Sequence, residues 1–189
     1  MSEYHLTLPL SRQDVLTLRA GDTVYLTGEM LTGRDAAHKR LLQLLQEEKP
    51  LPVDLRGQTI YYVGPAPASP GHAVGSAGPT TSYRMDAYTP ALLKLGLNCM
   101  IGKGRRSEAV ARAMQEYGAV YLGAVGGAAA LIARSIVQAQ VVAYPDLGTE
   151  AIHRFTVRDF PAIVIMDAHG GNLYESGPAR YLEAMQACD

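Results

Sequence analysis

The chain has no tryptophan, two phenylalanines and two cysteines in 189 residues. Cys99 and Cys188 cannot build a disulfide framework, and they cannot supply the three or four thiolates that an iron–sulfur cluster takes. Any such cluster needs ligands from another chain. Asp167-Ala-His169 and His153 lack both the H-E-x-x-H spacing and a neighbouring cysteine set, so no metal signature is present. An excess of one charge is also missing. Seventeen Lys and Arg against eighteen Asp and Glu leave a formal charge of -1, too little for a surface held to DNA mainly by phosphate neutralisation. No apolar run approaches the ~20 residues that cross a bilayer, and Met1 to Leu10 lacks the basic and then apolar layout of a signal peptide. The expected setting is the cytoplasm.

What is present is the balance of a folded protein, 48% hydrophobic and 19% charged. A chain of this length is expected to form one domain over residues 1–189 around a sizeable core. Tyr4 to Leu10 alternates like a strand, and Ser11-Arg-Gln-Asp14 offers a capping-box start to a short helix. Thr23 to Thr27 is a β-prone run, followed by a glycine-bounded turn from Gly28 to Gly33 and a helix with Ala37, Leu41, Leu44 and Leu45 on one face. Thr59 to Val63 reads as a buried strand entering a Gly/Pro/Ser-rich loop from Gly64 to Pro79, long enough to suggest a functional role. Met85, Tyr88, Leu92 and Leu95 recur at helical spacing, which predicts a helix from near Thr80, kinked or divided at Pro90.

The second half repeats strand, glycine turn and helix: Leu97 to Ile101 before Ser107 to Tyr117, then Ala119 to Leu122 before Ala128 to Val137. Such alternation favours an α/β layered domain with parallel pairing. In such sheets, ligands sit where strands end and helices begin. Val141 to Tyr144, Ile152 to Val157 and Ala162 to Met166 look like closing strands, so a mixed sheet is expected.

The most informative stretch is Gly75-Ser-Ala-Gly-Pro-Thr-Thr-Ser-Tyr-Arg-Met-Asp86. Exposed N–H groups, two hydroxyls and a guanidinium suit a carboxylate or phosphate, while the alternative is that Thr80 or Thr81 merely caps a helix and Arg84 lies in solvent. Gly102-Lys103-Gly104 holds a lysine where backbone and ligand can approach closely; it misses the dinucleotide fingerprint at Ser107 and is no Walker loop. Arg34 starts a helix, where the dipole opposes its charge unless an anion is present. His38, Lys39 and Arg40 follow, the histidine read as a packed or exposed structural residue with a proton carrier as the alternative, and the two cations as a solvated face. Gly123 to Gly127 reads as a tight turn. Ser76 is outside a G-x-S-x-G elbow, leaving a serine hydrolase without support.

These blocks, Gly75 to Thr81 with Arg84-Met-Asp86, Gly33 to Arg40 and Gly102-Lys-Gly104, resemble the beta subunit of class I fumarate hydratase. Tyr121-Leu-Gly123, Gly126-Gly127, Tyr144-Pro-Asp-Leu-Gly148, Glu150-Ala-Ile152 and Asp159-Phe-Pro161 extend the likeness in order over nearly the whole chain. The family also includes L-tartrate dehydratase. The resemblance implies an α/β fold, a three-layer swivelling β/β/α domain with a mixed sheet. It implies a hetero-oligomer in which a cluster-bearing alpha subunit ligates the four-iron four-sulfur cluster, with a dicarboxylate bound at the junction and no role for nucleic acid or membrane. The reaction implied is reversible hydration of fumarate to L-malate, with an isolated chain inactive. By resemblance, Thr80 and Lys103 are catalytic, and Arg34, Arg84 and Lys103 bind substrate. A tartrate dehydratase subunit and a non-catalytic carboxylate-binding or assembly module are the alternatives, with a stand-alone nucleotide-binding domain behind them.

Overall fold

A computed structural model describes residues 2–124 and 129–186. Strands β1 (Glu3–Thr7), β2 (Thr23–Thr32), β3 (Thr59–Tyr61), β4 (Cys99–Gly102) and β5 (Val120–Gly123) pair in parallel, in that order. Strand β6 (Ile136–Ala143) and the fifteen-residue β7 (Ile152–Met166) pair antiparallel. Because β7 also pairs antiparallel with both β5 and β2, the strands β2-β3-β4-β5-β7 close a circuit, with β1 and β6 on its flanks. The sheet is mixed, as expected.

Side chains alternate between two cores across the central strands. Tyr61, Cys99, Ile101, Val120 and Leu122 face the β2 and β7 residues Leu26, Met30, Phe155 and Phe160. Their neighbours Ile60, Tyr62, Met100 and Tyr121 face the other way, onto Leu41 of α2 (Asp35–Gln46), Leu92 and Leu93 of α3 (Thr89–Lys94), and Val110 and Met114 of α4 (Glu108–Tyr117). Burial on both faces explains the near-continuous apolar runs of β3 to β5. The result is an α/β protein of β, β and α layers.

Local chemistry sets most element ends. Ser11 caps α1 (Arg12–Thr17) through a reciprocal capping box with Asp14. Ser107 caps α4, whose C-terminus ends on left-handed Gly118.

The structure corrects several expectations. The turn expected from Gly28 is instead strand: β2 runs on to Thr32, with Gly28 at φ +131° beside a register shift against β7. A Cβ there would approach the Leu8 carbonyl to 2.7 Å, so glycine permits a close crossing, not a chain reversal. No helix starts at Thr80. Thr80 and Thr81 are extended, Thr81 caps nothing with its side chain, and a 3-10 turn (Ser82–Met85) precedes α3. The helical spacing was carried by that turn and α3 together. Pro90 opens α3, where its missing N–H costs nothing, so there is no kink. Helix α5 (Ala129–Ser135) stops before Val137, which belongs to β6. The two closing strands after residue 152 are one strand, irregular at Asp159 with φ +48°. A sixth helix, α6 (Leu173–Gln186), follows where no helix was anticipated. The tight turn expected at Gly123 to Gly127 falls largely on residues 125–127, outside the described residues.

Candidate active site

Parallel pairing puts the C-terminal ends of β2, β3 and β4 along one edge of the sheet. Gly33-Arg34 follows β2, Tyr62 to Gly64 follow β3, and Lys103 follows β4. The long loop then returns across this edge. The Thr80 N–H donates to the Tyr62 carbonyl at 2.8 Å, and the Ser82 N–H donates to the Lys103 carbonyl at 2.9 Å. Thr81 and Lys103 form a parallel bridge. Thus Thr80, far from Lys103 in sequence, is stitched beside it by backbone bonds.

A side-chain relay reinforces the stitch. The Lys103 N–H donates to Ser82 Oγ at 3.1 Å, and Tyr121 Oη donates to the Gly104 carbonyl at 2.9 Å. With the tyrosine proton committed there, the Ser82 hydroxyl donates to Tyr121 Oη at 2.9 Å. Beneath it lies Arg106, its side chain fully buried, paired with Asp86 at 2.7 Å and donating to Thr89 Oγ1 at 2.9 Å. Its guanidinium carbon is 5.3 Å from the Tyr62 ring centre and 5.0 Å from that of Tyr121. These distances suit cation–π contact, so the charge is compensated on several sides. Burial, before any other influence, raises the Tyr121 phenol far above its ordinary range.

Arg34 occupies the N-cap position of α2 in extended conformation and leaves the cap without a side-chain hydrogen bond. Its Nη2 lies 3.0 Å from Glu150 Oε1, while its Nε and Arg84 Nη1 each lie 3.9 Å from Asp35 Oδ1. Asp35 therefore sits between the two arginines. Arg34 is 23% exposed and Arg84 53%. Lys103 is exposed and shares with Gly64, Pro79 and Thr149 the lining of a hollow of about 470 Å³. Gly64 joins the two groups of cations, since a Cβ there would stand 3.0 Å from Arg34 Nη1. The four residues singled out in the sequence thus lie about one edge of the sheet, but of them only Lys103 lines the hollow. Arg84 is the outlier, reaching the others through Asp35 alone.

His38 lies behind this edge, 1% exposed, with its Nδ1 2.8 Å from the Arg34 carbonyl. A carbonyl only accepts, so Nδ1 carries the proton and the ring is neutral; burial lowers its pKa to about 4. It is packed, as its helical position allowed. Lys39 and Arg40 lie toward solvent as expected, and Arg40 makes an exposed pair there: Nη1 donates to Asp146 Oδ1 at 2.9 Å, and the guanidinium carbon lies 5.2 Å from the Tyr144 ring centre. Asp35, Ser82, Arg106, Tyr121 and Glu150 escaped sequence reasoning as site residues. Asp35, Tyr121 and Glu150 lay inside quoted family blocks and Ser82 inside the Gly75 to Asp86 stretch; only Arg106 lay outside every quoted stretch.

The profile of the family described as Fumarase C-terminus matches residues 2–177. The chain belongs to that family. An Escherichia coli protein named fumarate hydratase class I, anaerobic, is 43% identical over 152 residues, covering 79% of this chain and 28% of the relative. Fumarate hydratase 2 of Leishmania major is 39% identical, covering 86% of this chain and 29% of its own length. This fumarase-family chain therefore spans under a third of those relatives. By contrast, a putative L(+)-tartrate dehydratase subunit beta of Methanocaldococcus jannaschii is 39% identical over 88% of both chains.

The donor set does not fit the iron–sulfur cluster that the resemblance implies for the enzyme. Among the described residues no three His, Cys, Asp or Glu side chains gather to hold a metal. Cys99 is buried in β4, where burial pushes its thiol up to about 12, so it is a core residue and not a ready thiolate ligand. Also among the described residues, no helix is long and apolar enough to cross a membrane.

Proposed function

We propose that this chain is the beta subunit of a heteromeric hydro-lyase that reversibly hydrates fumarate to L-malate in the cytoplasm. In this reading the partner alpha subunit ligates a four-iron four-sulfur cluster, and the beta chain is inactive alone. The observation that carries it is the grouping of Arg34, Arg84 and Lys103 with Thr80 along one sheet edge, in a chain of the fumarase C-terminal family. A doubly negative acid needs such cations, and its demand for them grows as negative charge develops on a carboxylate conjugated to the reacting carbon.

Within this chain the roles divide by geometry. Arg34 and Arg84, anchored about Asp35, bind carboxylate. Lys103, at the hollow, is a mobile point charge suited to stabilising the charge that builds up. In this reading Thr80, its backbone held beside Lys103, accepts the proton of the reacting carbon in dehydration and returns it in hydration. Ligands on the partner subunit would hold the cluster, which would supply Lewis acidity toward the substrate hydroxyl.

Anaerobic reconstitution with the cluster-bearing subunit, followed by fumarate absorbance, is the test. Turnover of fumarate by the pair and none by either chain is expected; a loaded pair inert toward both fumarate and tartrate sinks the reading. L-Tartrate dehydration is the second reading, favoured by the near full-length match to a relative named as that subunit. A pair that dehydrates L-tartrate faster than it hydrates fumarate selects it. Binding of dicarboxylate without turnover of either selects a non-catalytic module.

A further inference from the structure

Of the three cations assigned to the dicarboxylate, Arg34 is the one most enclosed by its neighbours. Its guanidinium lies between two chain segments that approach from opposite ends of the sequence order. On one side is Gly64, where a Cβ would stand 3.0 Å from Nη1, 3.2 Å from Arg34 Cδ and 3.2 Å from the Thr149 carbonyl. On the other side is Glu150, whose Oε1 lies 3.0 Å from Nη2. Glu150 is only 24% exposed and ends the 3-10 segment Pro145–Glu150. That segment is fastened to α2 a second time, because Arg40 makes two hydrogen bonds to the Asp146 carboxylate. The turn therefore cannot drift from the helix that carries Arg34 without breaking two ion pairs.

A guanidinium held at Nη2 by a fixed carboxylate keeps one orientation, with Nη1 on the side of Gly64, which itself lines the hollow that Lys103 shares. Left alone, a long arginine side chain loses rotamer freedom when it grips a ligand; prior fixation removes that loss from binding. The opposing effect is Coulombic, since Glu150 also repels an incoming anion. With Nη2 paired to Glu150 and only 23% of its side chain exposed, Arg34 is confined enough for orientation to be the larger effect.

We propose that Glu150 is a positioning residue for the dicarboxylate, holding the Arg34 guanidinium by Nη2 so that Nη1 stays on the side of Gly64, at the margin of the hollow. This deepens the hydro-lyase reading and rests on it for the identity of the ligand. Glu150 itself touches no reacting atom.

The test compares Glu150→Ala and Glu150→Gln in the reconstituted pair, with fumarate kinetics, succinate titration by calorimetry, thermal melting and crystal structures of the assembled pair. Glu150→Ala is expected to raise KM for fumarate and weaken succinate binding by about tenfold, leaving kcat within about threefold and the melting temperature unchanged. Gln keeps an oxygen acceptor facing Nη2, so it should recover most of the affinity. Crystals of the Ala variant should show the guanidinium turned away from Gly64.

A lowered KM in both variants would mean that Glu150 competes with substrate for Arg34, and the proposal fails. It fails equally on an unchanged KM, on a fall in melting temperature without a KM change, or on an Arg34 that stays in place. If wild-type pairs are inert but Arg34 swings in the Ala crystals, the positioning holds and the hydro-lyase reading falls. If wild-type pairs are active and Arg34 does not move, only the positioning falls.

Discussion

Thr80 is half-buried, its backbone fixed to Tyr62 and its neighbour Thr81 bridged to Lys103. Its substitution therefore separates chemistry from architecture. Thr80→Ala deletes a hydroxyl but no backbone bond, so kcat of the reconstituted pair should fall by about 10²-fold or more while subunit association, read by size-exclusion chromatography, persists. Retained turnover would remove Thr80 from the reaction. Arg34→Lys tests a different property. A lysine keeps the charge but not the planar fork held between Glu150 and Gly64, so the expected outcome is a rise in KM of about tenfold with little change in kcat.

The stitch that joins the loop to β4 belongs to the level of elements. Gly102 is its weakest point, because a Cβ there would overlap Ser82 Oγ and come within 2.9 Å of Tyr62 Cδ2. Gly102→Ala should break the Ser82 relay to Lys103 and Tyr121, lowering the melting temperature by several degrees and abolishing turnover. A soluble variant with unaltered melting and activity would show that the relay bears on neither. Ser107→Ala probes the cap of α4 and should cost about 1 kcal/mol in chemical denaturation.

Much of this element-level order was readable from local signals. Glycines at strand ends, the apolar face of α2 and the capping box at Ser11 act within a few residues, so the sequence displays them. The extended course of Thr80 and Thr81 was hidden because tertiary bonds to Tyr62 and Lys103 set it, against a helical periodicity that begins only afterwards. Glu150 beside Arg34 and Asp86 beside Arg106 are contacts across the fold, and no spacing rule connects them. Nor could the pair Arg105-Arg106 disclose which arginine is buried; the aromatic rings of Tyr62 and Tyr121 decide that.

For the molecule as a whole, His38 couples the site's foundation to pH. Its folded pKa of about 4 lies below the ordinary 6.5, so the unfolded chain binds the extra proton between those values. Stability from this group is complete above about pH 6.5 and falls as pH drops toward 4, by up to about 3 kcal/mol. Denaturation of wild type and His38→Gln at pH 7 and pH 4.5 checks the sign, with the variant expected to lose less stability on acidification. Asp167 adds to the same trend. Burial opposes its charge, but N–H groups of Ala20, Gly171 and His169 outweigh that and lower its pKa, so its contribution is lost as pH falls through the folded value.

The closed circuit of strands has a consequence for biosynthesis. Residues 23–31 of β2 wait for partners at 154–163 of β7, and β5 waits for the same strand. Until translation has carried residue 166 clear of the ribosome, both edges stay open to other chains, and the closing step joins segments far apart in sequence. The nascent protein is therefore at its most aggregation-prone after β5 has emerged and before β7 has, when a chaperone or an early-docking partner has most to protect.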